Sequence, residues 1–395
     1  MDKHGRQSSR EQGDAVSGWS RRRYACFAAI TILLGLAVSL GVVEFVLRYQ
    51  DRLIAHSEHM QPGLIGYNAE LGWQLTPGWS GTHHHYDYEV VYDIDASGWR
   101  LEPQAEKTGS RVAVLGDSFT FGLGVANDET FVARLNTLSD GRLHYLNLGV
   151  PGYSTDQEWL LLKKTGKAIK PDIVLLVVYL ANDLFDNSRP FPLQADHAKP
   201  YFRLDTDRQL LLENSPVPLA TKSAAARNTG LADIVLGDKK PSAPLLTRTL
   251  GQLRLARRLG IFQQPGRLDE GMLEARFDPY IALFLALTDA LADSSRELGA
   301  ELVIALLPGA SLINQPESLS AHYQAFLRKQ LVAGLAERPD TQVIDLASML
   351  AAADNHSQPW YFPNEGHLTP QGHQLVAQLL REKLHGLLAA ADDRQ

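Results

Sequence analysis

The stretch Arg111-Val-Ala-Val-Leu-Gly-Asp-Ser-Phe-Thr-Phe-Gly122 contains the pattern that decides the fold of this chain. The apolar run from Val112 to Leu115 predicts a short buried strand. Gly116 follows it and permits a tight turn, because glycine tolerates backbone angles that other residues avoid. The pattern therefore predicts a buried strand that ends in a sharp turn and leads towards a helix.

Ser118 is the candidate nucleophile of this stretch. It lies just past the predicted strand, before a helix that we expect to begin near Glu129. Open α/β sheets place their reactive groups at such strand-to-helix turns. The alternative interpretation is that Asp117 or Ser118 only caps a helix.

Apolar strands alternate with helical segments along the rest of the chain. The predicted strands cover residues 143–148, 171–179, 301–307 and 342–346, and the predicted helices cover residues 129–138, 154–167, 280–298, 321–336 and 370–388. This alternation indicates a parallel sheet that is covered by helices on both faces. The fold class expected is therefore α/β.

Two further segments follow predicted strands and are expected to meet Ser118, since the carboxyl ends of parallel strands share one edge. They contain Gly152 and the pair Asn182-Asp183. An attacking serine creates an oxyanion that needs preorganised hydrogen-bond donors. The backbone N–H groups of Ser118 and Gly152 and the side-chain amide of Asn182 are suitable donors. Taken singly, Gly152 is also consistent with a plain Pro-Gly turn, and Asn182-Asp183 with a helix cap.

His367 is the candidate general base. It lies in a loop just before a helix that Pro370 is well suited to begin. A histidine on a loop can reach a serine, take its proton and return it to the leaving group. His373 lies within the same helix and is interpreted as a structural residue.

Together these residues resemble the four sequence blocks of the SGNH, or GDSL-type, hydrolase family over about residues 111–390. The blocks are Gly116-Asp117-Ser118, Gly152, Asn182-Asp183 and His367. The resemblance implies a flavodoxin-like three-layer α/β/α sandwich and a Ser-His esterase that uses no metal and no cofactor. It also implies an oxyanion hole formed by Ser118, Gly152 and Asn182, with Asp117 and Asp183 in supporting positions.

The chain departs from the family pattern at two positions. Leu180 stands where the third block usually begins with glycine, and Asn364 stands where the family has a carboxylate three residues before the histidine. An amide cannot stabilise an imidazolium as a carboxylate does. Glu365, two residues before His367, is the nearest alternative acid. A backbone carbonyl could also orient the ring.

The N-terminal part contains a candidate membrane anchor. Residues 24–43 include no charged side chain, and twenty helical residues span about 30 Å, the thickness of the bilayer hydrocarbon. Three arginines precede the run, so residues 1–23 are expected in the cytoplasm, residues 24–46 in the membrane, and the rest in the periplasm or outside the cell. The alternative is a cleaved signal peptide.

Two further regions lie outside the predicted sheet and its helices: an extension before the sheet and an insertion within the domain. Residues 47–110 are expected to form an extension that is partly strand, with a turn at Gly72–Trp79 and with His83, His84 and His85 in a solvated turn rather than a metal site. Residues 184–270 are expected to form an insertion over the site. The insertion should contain a hairpin across residues 205–208 and a basic amphipathic helix at residues 245–259. That helix would present a solvated face or contact anionic lipid or an acidic glycan.

Charge and cysteine content narrow the possible functions. The formal net charge of −7 argues against a nucleic-acid partner, and the single cysteine, Cys26, excludes a disulfide within the chain. The main hypothesis is a membrane-anchored serine esterase acting on O-acyl esters, such as acetyl esters, of a small molecule or of an envelope or exported polysaccharide. The alternatives are an O-acyltransferase with the same site, and a catalytically degenerate carbohydrate-binding or scaffold protein of an envelope export complex.

Overall fold

A computed structural model describes residues 21–101, 109–223, 234–235, 250–258, 270–338, 341–353 and 359–392 of the chain. The strands are β1 (His59–Met60), β2 (Ile65–Asn68), β3 (Gly72–Leu75), β4 (Ser80–His85), β5 (Tyr88–Asp93), β6 (Ser110–Leu115), β7 (Leu143–Asn147), β8 (Ile173–Tyr179), β9 (Tyr201–Leu204), β10 (Leu210–Glu213), β11 (Glu301–Leu307) and β12 (Thr341–Ile344). The helices are α1 (Arg21–Ser57), α2 (Ser118–Phe121), α3 (Phe131–Leu138), α4 (Thr155–Ile169), α5 (Asp183–Asp186), α6 (Arg254–Arg258), α7 (Glu270–Glu297), α8 (Ala310–Asn314), α9 (Leu319–Ala336), α10 (Leu346–Ala352) and α11 (Pro370–Asp392).

The chain divides into two compact units. The first comprises residues 1–53 and 243–262, and the second comprises residues 54–242 and 263–395. Within the first unit, α1 is long and apolar enough to cross a membrane. The carboxylate of Glu44 on this helix accepts hydrogen bonds from the backbone N–H groups of Arg254 (3.0 Å) and Leu255 (3.2 Å) at the start of α6.

The second unit is built on a five-stranded parallel sheet with the strand order β12-β11-β8-β6-β7. Numbered by their appearance within this sheet, the strands run 2-1-3-4-5, which is the flavodoxin-like order. The predicted α/β fold with a flavodoxin-like parallel sheet is therefore confirmed.

Both faces of this sheet are buried, because apolar side chains alternate between two clusters along each strand. One cluster joins residues such as Leu115 and Leu176 to helices α4, α7 and α9. The other joins residues such as Val114 and Leu175 to helices α3, α10 and α11. This double coverage explains the near-continuous apolar runs of β6, β8 and β11.

The strand order of the sheet reverses between β6 and β8. These strands pair in register, with Leu115 opposite Leu176. Ser118 follows β6, and Asn182 follows β8. Residues far apart in sequence therefore emerge from neighbouring strands at the crevice where open α/β sheets bind ligands.

The extension before the sheet is more regular than the sequence suggests. The predicted turn at Gly72–Trp79 is wrong in its first half, since residues 72–75 form β3, which pairs with β2. The predicted solvated turn at His83, His84 and His85 is also wrong, because all three lie on β4. His83 is 1% exposed and contacts the hydroxyl of Tyr92 at 2.9 Å, so burial of its aromatic face outweighs hydration.

Two predicted helices differ in the structure. Helix α7 begins at Glu270, ten residues before the predicted start, and contains Pro279; Phe277, fully buried against Phe185, anchors this extra length. Of the basic helix predicted at residues 245–259, the described residues contain the short helix α6. Residues 245–249 and 259 lie outside the described residues. Helix α10 was not predicted. The predicted hairpin of the insertion is confirmed as β9 and β10.

Candidate active site

Ser118 is the first residue of α2 and follows the turn at Gly116. A side chain on Gly116 would place its Cβ 2.1 Å from Thr120 Oγ1 and 3.1 Å from the carbonyl oxygen of Val177, so only glycine fits. Asp117 caps α2, because its Oδ1 accepts the backbone N–H of Phe119 at 2.8 Å. The capping interpretation therefore holds for Asp117, while the Ser118 hydroxyl makes a different contact.

The Ser118 hydroxyl meets the imidazole of His367, 249 residues further along the chain. Ser118 Oγ and His367 Nε2 lie 2.6 Å apart. The ring of His367 packs against the ring of Phe119, with 4.4 Å between centroids, and Phe119 in turn stacks on Tyr179 at 4.1 Å. These apolar contacts restrict how the imidazole can turn.

Glu365 occupies the other side of the imidazole. Its Oε1 lies 2.5 Å from His367 Nδ1, and its Oε2 accepts the backbone N–H of His367 at 2.8 Å. Burial alone would raise the pKa of the Glu365 carboxyl, but its hydrogen bonds to His367 and the charge of that ring outweigh burial and lower the pKa. Glu365 is therefore ionised at neutral pH.

Asn364 faces away from the imidazole and towards the N-terminal extension. Its side-chain Nδ2 donates to Asp87 Oδ1 at 2.6 Å, and its backbone N–H donates to Asp87 Oδ2 at 2.9 Å. The backbone N–H of Glu365 also donates to Asp87 Oδ2, at 3.0 Å. Asp87 lies in the short connection between β4 and β5, and sequence reasoning missed its contact with this loop because the two segments are 277 residues apart.

Asn182 lies at the start of α5 and is 4% exposed. Its Nδ2 donates to Asp186 Oδ2 at 2.9 Å, and Asp186 Oδ1 accepts the backbone N–H of Leu193 at 2.8 Å. Asp183 supports the same turn, because its Oδ2 accepts the backbone N–H of Tyr179 at 2.7 Å. Leu180, the departure from the family glycine, is fully buried in the apolar core.

The loop after β7 packs directly on the turn that carries Ser118. The backbone N–H of Val150 donates to the Gly116 carbonyl at 3.0 Å. A side chain on Gly149 would place its Cβ 2.2 Å from the backbone nitrogen of Phe121. Gly152, three residues after Gly149, has a φ of +82°, which favours glycine, and borders Trp73. The three loops expected to converge thus emerge at one edge of the sheet.

A cluster of buried carboxyl groups lies beneath this edge. Burial raises the pKa of Asp117 to about 6, and burial raises the pKa of Asp183 and of Glu158 well above the usual range. The charge of Asp117 raises the pKa of Asp183 and of Glu158 further. Sequence reasoning did not identify Glu158, because nothing in the pattern of α4 distinguishes it from a solvated glutamate.

His373 lies inside α11 and contacts neither Ser118 nor His367 in the hydrogen bonds of the described residues. Its Nδ1 accepts the backbone N–H of Phe131 at 3.1 Å, and its ring is 1% exposed. Burial lowers the pKa of His373 to about 3, so the ring is neutral. Among the residues that the structure describes, no group of three or more His, Cys, Asp and Glu side chains is arranged to hold a metal ion.

Comparison with known proteins adds the following findings. The sequence profile of the GDSL-like Lipase/Acylhydrolase family matches residues 114–375. A search of the curated proteins finds no match. Similar solved structures include a member of the lipolytic protein G-D-S-L family from Veillonella parvula DSM 2008, at 15% identity, covering 69% of this chain and 97% of that one with a TM-score of 0.37. The lipase/acylhydrolase from Enterococcus faecalis has 15% identity, with coverage of 70% and 96% and a TM-score of 0.37. An acetylxylan esterase from Geobacillus stearothermophilus has 12% identity, with coverage of 70% and 94% and a TM-score of 0.35.

Proposed function

Because the chain belongs to the GDSL-like lipase/acylhydrolase family, we propose that it is a membrane-anchored serine esterase with Ser118 as its nucleophile. The observation that carries this proposal is the continuous contact from Ser118 Oγ through His367 to Glu365, with distances of 2.6 Å and 2.5 Å. A serine hydroxyl is a weak nucleophile by itself and needs an adjacent base whose orientation is fixed by a third group. This arrangement supplies both.

The first half of the reaction forms an acyl-enzyme. His367 Nε2 removes the proton of Ser118 as Oγ bonds to the ester carbonyl carbon, and the carbonyl oxygen becomes an oxyanion. The imidazolium then gives that proton to the departing alcohol oxygen as its bond to the carbonyl carbon breaks. Glu365 stabilises the imidazolium in between, because its ionised carboxylate touches Nδ1.

Three donors are proposed to bind the oxyanion: the backbone N–H groups of Ser118 and Gly152 and the side-chain amide of Asn182. The Asn182 amide carries two hydrogens, of which Asp186 accepts one, so the second can point to the oxyanion. Asp186 thus orients the Asn182 amide and leaves its second N–H available to donate. Losing one such donor typically raises the barrier by about 2.7–4 kcal/mol.

The second half transfers the acyl group to water, with His367 acting as base again. We propose O-acyl esters, such as acetyl esters, of an envelope or exported polysaccharide as the substrates. A cavity of about 210 Å³ is lined by Tyr67, whose ring is half exposed and can stack on a sugar, and by Trp73, which is buried and borders Gly152. If a sugar hydroxyl replaces water, the same acyl-enzyme makes the protein an O-acyltransferase.

The test of the nucleophile uses the full-length protein in detergent. Ser118→Ala and His367→Asn should abolish turnover of p-nitrophenyl acetate, and Ser118→Ala should also abolish covalent labelling by a fluorophosphonate. Ser97→Ala, at an exposed loop position, is the matched control and should behave like the parent. Labelling that persists in Ser118→Ala would overturn the assignment. Binding of a polysaccharide with no labelling at all would favour the degenerate binding protein or scaffold instead.

We also propose that α1 anchors the protein with residues 1–23 in the cytoplasm and the catalytic unit across the membrane. The support is the length and apolar character of this helix and the three arginines before its apolar run. A C-terminal alkaline phosphatase fusion should be active in intact cells, and the corresponding β-galactosidase fusion should be inactive. The reverse pattern would contradict the orientation without affecting the esterase proposal.

A further inference from the structure

We propose that Asp87 is a positioning residue of the esterase site, which holds the loop that carries Glu365 and His367. This inference rests on the proposed function and deepens it. Asp87 lies in the N-terminal extension, outside residues 114–375 that match the family profile. The catalytic geometry of this chain would then depend on a hairpin that precedes the hydrolase sequence blocks.

Three hydrogen bonds join Asp87 to the loop. Its Oδ2 accepts the backbone N–H groups of Asn364 (2.9 Å) and Glu365 (3.0 Å), and its Oδ1 accepts the Asn364 side-chain amide (2.6 Å). Only 6% of the Asp87 side chain is exposed. Hydrogen bonds to an ionised carboxylate are roughly twice as strong as neutral ones, and their shielding from solvent preserves that strength.

Asp87 matters because it holds the backbone of Glu365, whose carboxylate contacts His367. Both oxygens of that carboxylate bond to His367, one to the ring and one to the backbone. Two backbone hydrogen bonds hold the part of the loop around Gly366. The Gly366 N–H donates to the Phe362 carbonyl at 3.0 Å, and the Phe362 N–H donates to the His367 carbonyl at 2.8 Å. The part of the loop that contains the Glu365 backbone is held by its hydrogen bond to Asp87. Without it, Glu365 and His367 could still pair, but not in a fixed position relative to Ser118.

The hairpin that presents Asp87 is itself held firmly. Strands β4 and β5 pair along their whole length from Ser80 opposite Asp93 to His85 opposite Tyr88. The Tyr88 ring lies 5.0 Å from the ring of Phe362, which belongs to the catalytic loop. The backbone N–H of Asp87 also donates to His85 Nδ1 at 3.2 Å. Asp87 is therefore a fixed acceptor rather than a mobile surface carboxylate.

Asp87 also explains why Asn364 replaces the carboxylate that the family has at this position. An aspartate at 364 would bring a second negative charge to hydrogen-bond distance of Asp87 Oδ1, where the Asn364 amide now donates. Two carboxylates at that distance cannot both remain ionised. The chain thus combines a neutral donor at 364, an acid at 365 and an external carboxylate at 87.

The ionisable groups near Asp87 among the residues described include Tyr88, whose pKa is raised first by burial and then by the charges of Glu365 and Asp87. His85 Nδ1 lies 4.0 Å from Asp87 Oδ2, and Glu58 Oε2 lies 3.6 Å from His85 Nε2. Glu365 is the acid on the loop that Asp87 holds. A pH profile must therefore be compared among variants that leave His85, Glu58 and Glu365 unchanged.

The decisive experiment exchanges the two partners. Asp87→Asn replaces one of the two carboxylate oxygens that accept from three donors with an amide group that donates. We expect kcat for p-nitrophenyl acetate to fall by about 10²-fold, which is the loss that a small displacement of catalytic groups causes. The acid limb of its pH–rate profile should move to lower pH, because the imidazolium loses part of its carboxylate stabilisation.

Asn364→Asp should also lose activity by charge repulsion. The double variant Asp87→Asn/Asn364→Asp restores one carboxylate and one amide and should recover most of the parental kcat.

Glu89→Gln is the matched control, since Glu89 lies on the same hairpin with 67% of its side chain exposed; its kcat and pH profile should equal those of the parent. Unchanged kcat and profile in Asp87→Asn, or a double variant no better than either single one, would overturn the inference. If Asp87→Asn does not fold, the comparison of Asn364→Asp with the double variant decides in the same way. A parent protein that is neither active nor labelled at Ser118 would instead refute the proposed function itself.

Discussion

Both carboxylate oxygens of Glu365 contact His367, although the two residues are separated by a single glycine. Oε1 meets the ring at Nδ1, and Oε2 accepts the backbone N–H. Gly366 makes this possible, because its φ of +92° turns the chain sharply between the two side chains. Glu365 therefore contacts the ring, whereas Asn364 bonds to Asp87. The contribution of Glu365 to turnover can be measured.

Glu365→Gln should lower kcat strongly. A glutamine fills the same space but cannot stabilise the imidazolium, and the corresponding Asp→Asn change in a serine protease lowers kcat by about 10⁴-fold. We expect a loss of about 10²- to 10⁴-fold in p-nitrophenyl acetate turnover, with Ser118→Ala as the floor. Activity within a few-fold of the parent would show that Glu365 does not fill this role.

The core and the positions of Ser118 and His367 were predictable because their signals are local. The apolar run before Gly116 and the uninterrupted run of β8 indicate buried parallel strands, and the carboxyl ends of such strands share one edge. Ser118 and Asn182 could therefore be placed on that edge from their positions after strands. His367 needed only a loop position before a helix that begins at Pro370.

The contacts of Asp87 and the burial of His83 were not predictable in the same way. Asp87 reaches Asn364 across 277 residues, and nothing near Asp87 in sequence distinguishes it from a solvated turn residue. Three consecutive histidines suggested exposure, but the alternation of a strand buries His83 and leaves His84 half exposed. Long-range packing, which local propensity does not contain, decided both cases.

Asp117→Asn should flatten the pH dependence of stability between about pH 4 and pH 6. Burial raises the pKa of Asp117 to about 6 from its ordinary value of 3.8. Over that interval the unfolded chain loses the proton while the folded chain keeps it, so the free energy of unfolding falls as pH rises. Two pKa units correspond to roughly 3 kcal/mol.

Chemical denaturation of the parent and of Asp117→Asn at pH 4 and pH 7 measures this effect. Asparagine keeps an oxygen that can cap α2, so the difference should reflect the charge. Asp117→Ala, which also removes the cap, should cost about 1 kcal/mol more at every pH. An equally steep decline in Asp117→Asn would contradict the raised pKa.

Gly149→Ala should disrupt the loop that packs on the Ser118 turn. The added Cβ would lie 2.2 Å from the backbone nitrogen of Phe121 and 2.6 Å from the carbonyl carbon of Thr120, neither of which can move without moving α2. Overpacking of this kind costs about 1–3 kcal/mol, and the displacement of α2 should reduce esterase activity as well. Gly66→Ala is the control, because its nearest neighbour, Thr76 Oγ1, lies at 3.6 Å; thermal unfolding should separate the two variants.

Lys199→Met should be the most destabilising single change in the insertion. Lys199 and Asp156 form an ion pair in which both side chains are fully buried, and Lys199 belongs to the segment after α5 while Asp156 lies in the first turn of α4. Burial raises the pKa of Asp156, and the charge and hydrogen bond of Lys199 oppose that rise, so removing the lysine leaves a buried carboxylate without its cation. Removing one partner of a buried pair costs about 3–5 kcal/mol, whereas replacing both by apolar groups is often neutral.

The double variant Lys199→Met/Asp156→Leu should therefore be more stable than Lys199→Met alone when unfolding is followed by denaturant titration. If the double variant loses at least as much stability as the two single variants together, the pair does not hold the insertion to α4 through its charges, and packing of the aliphatic part of Lys199 must hold it instead.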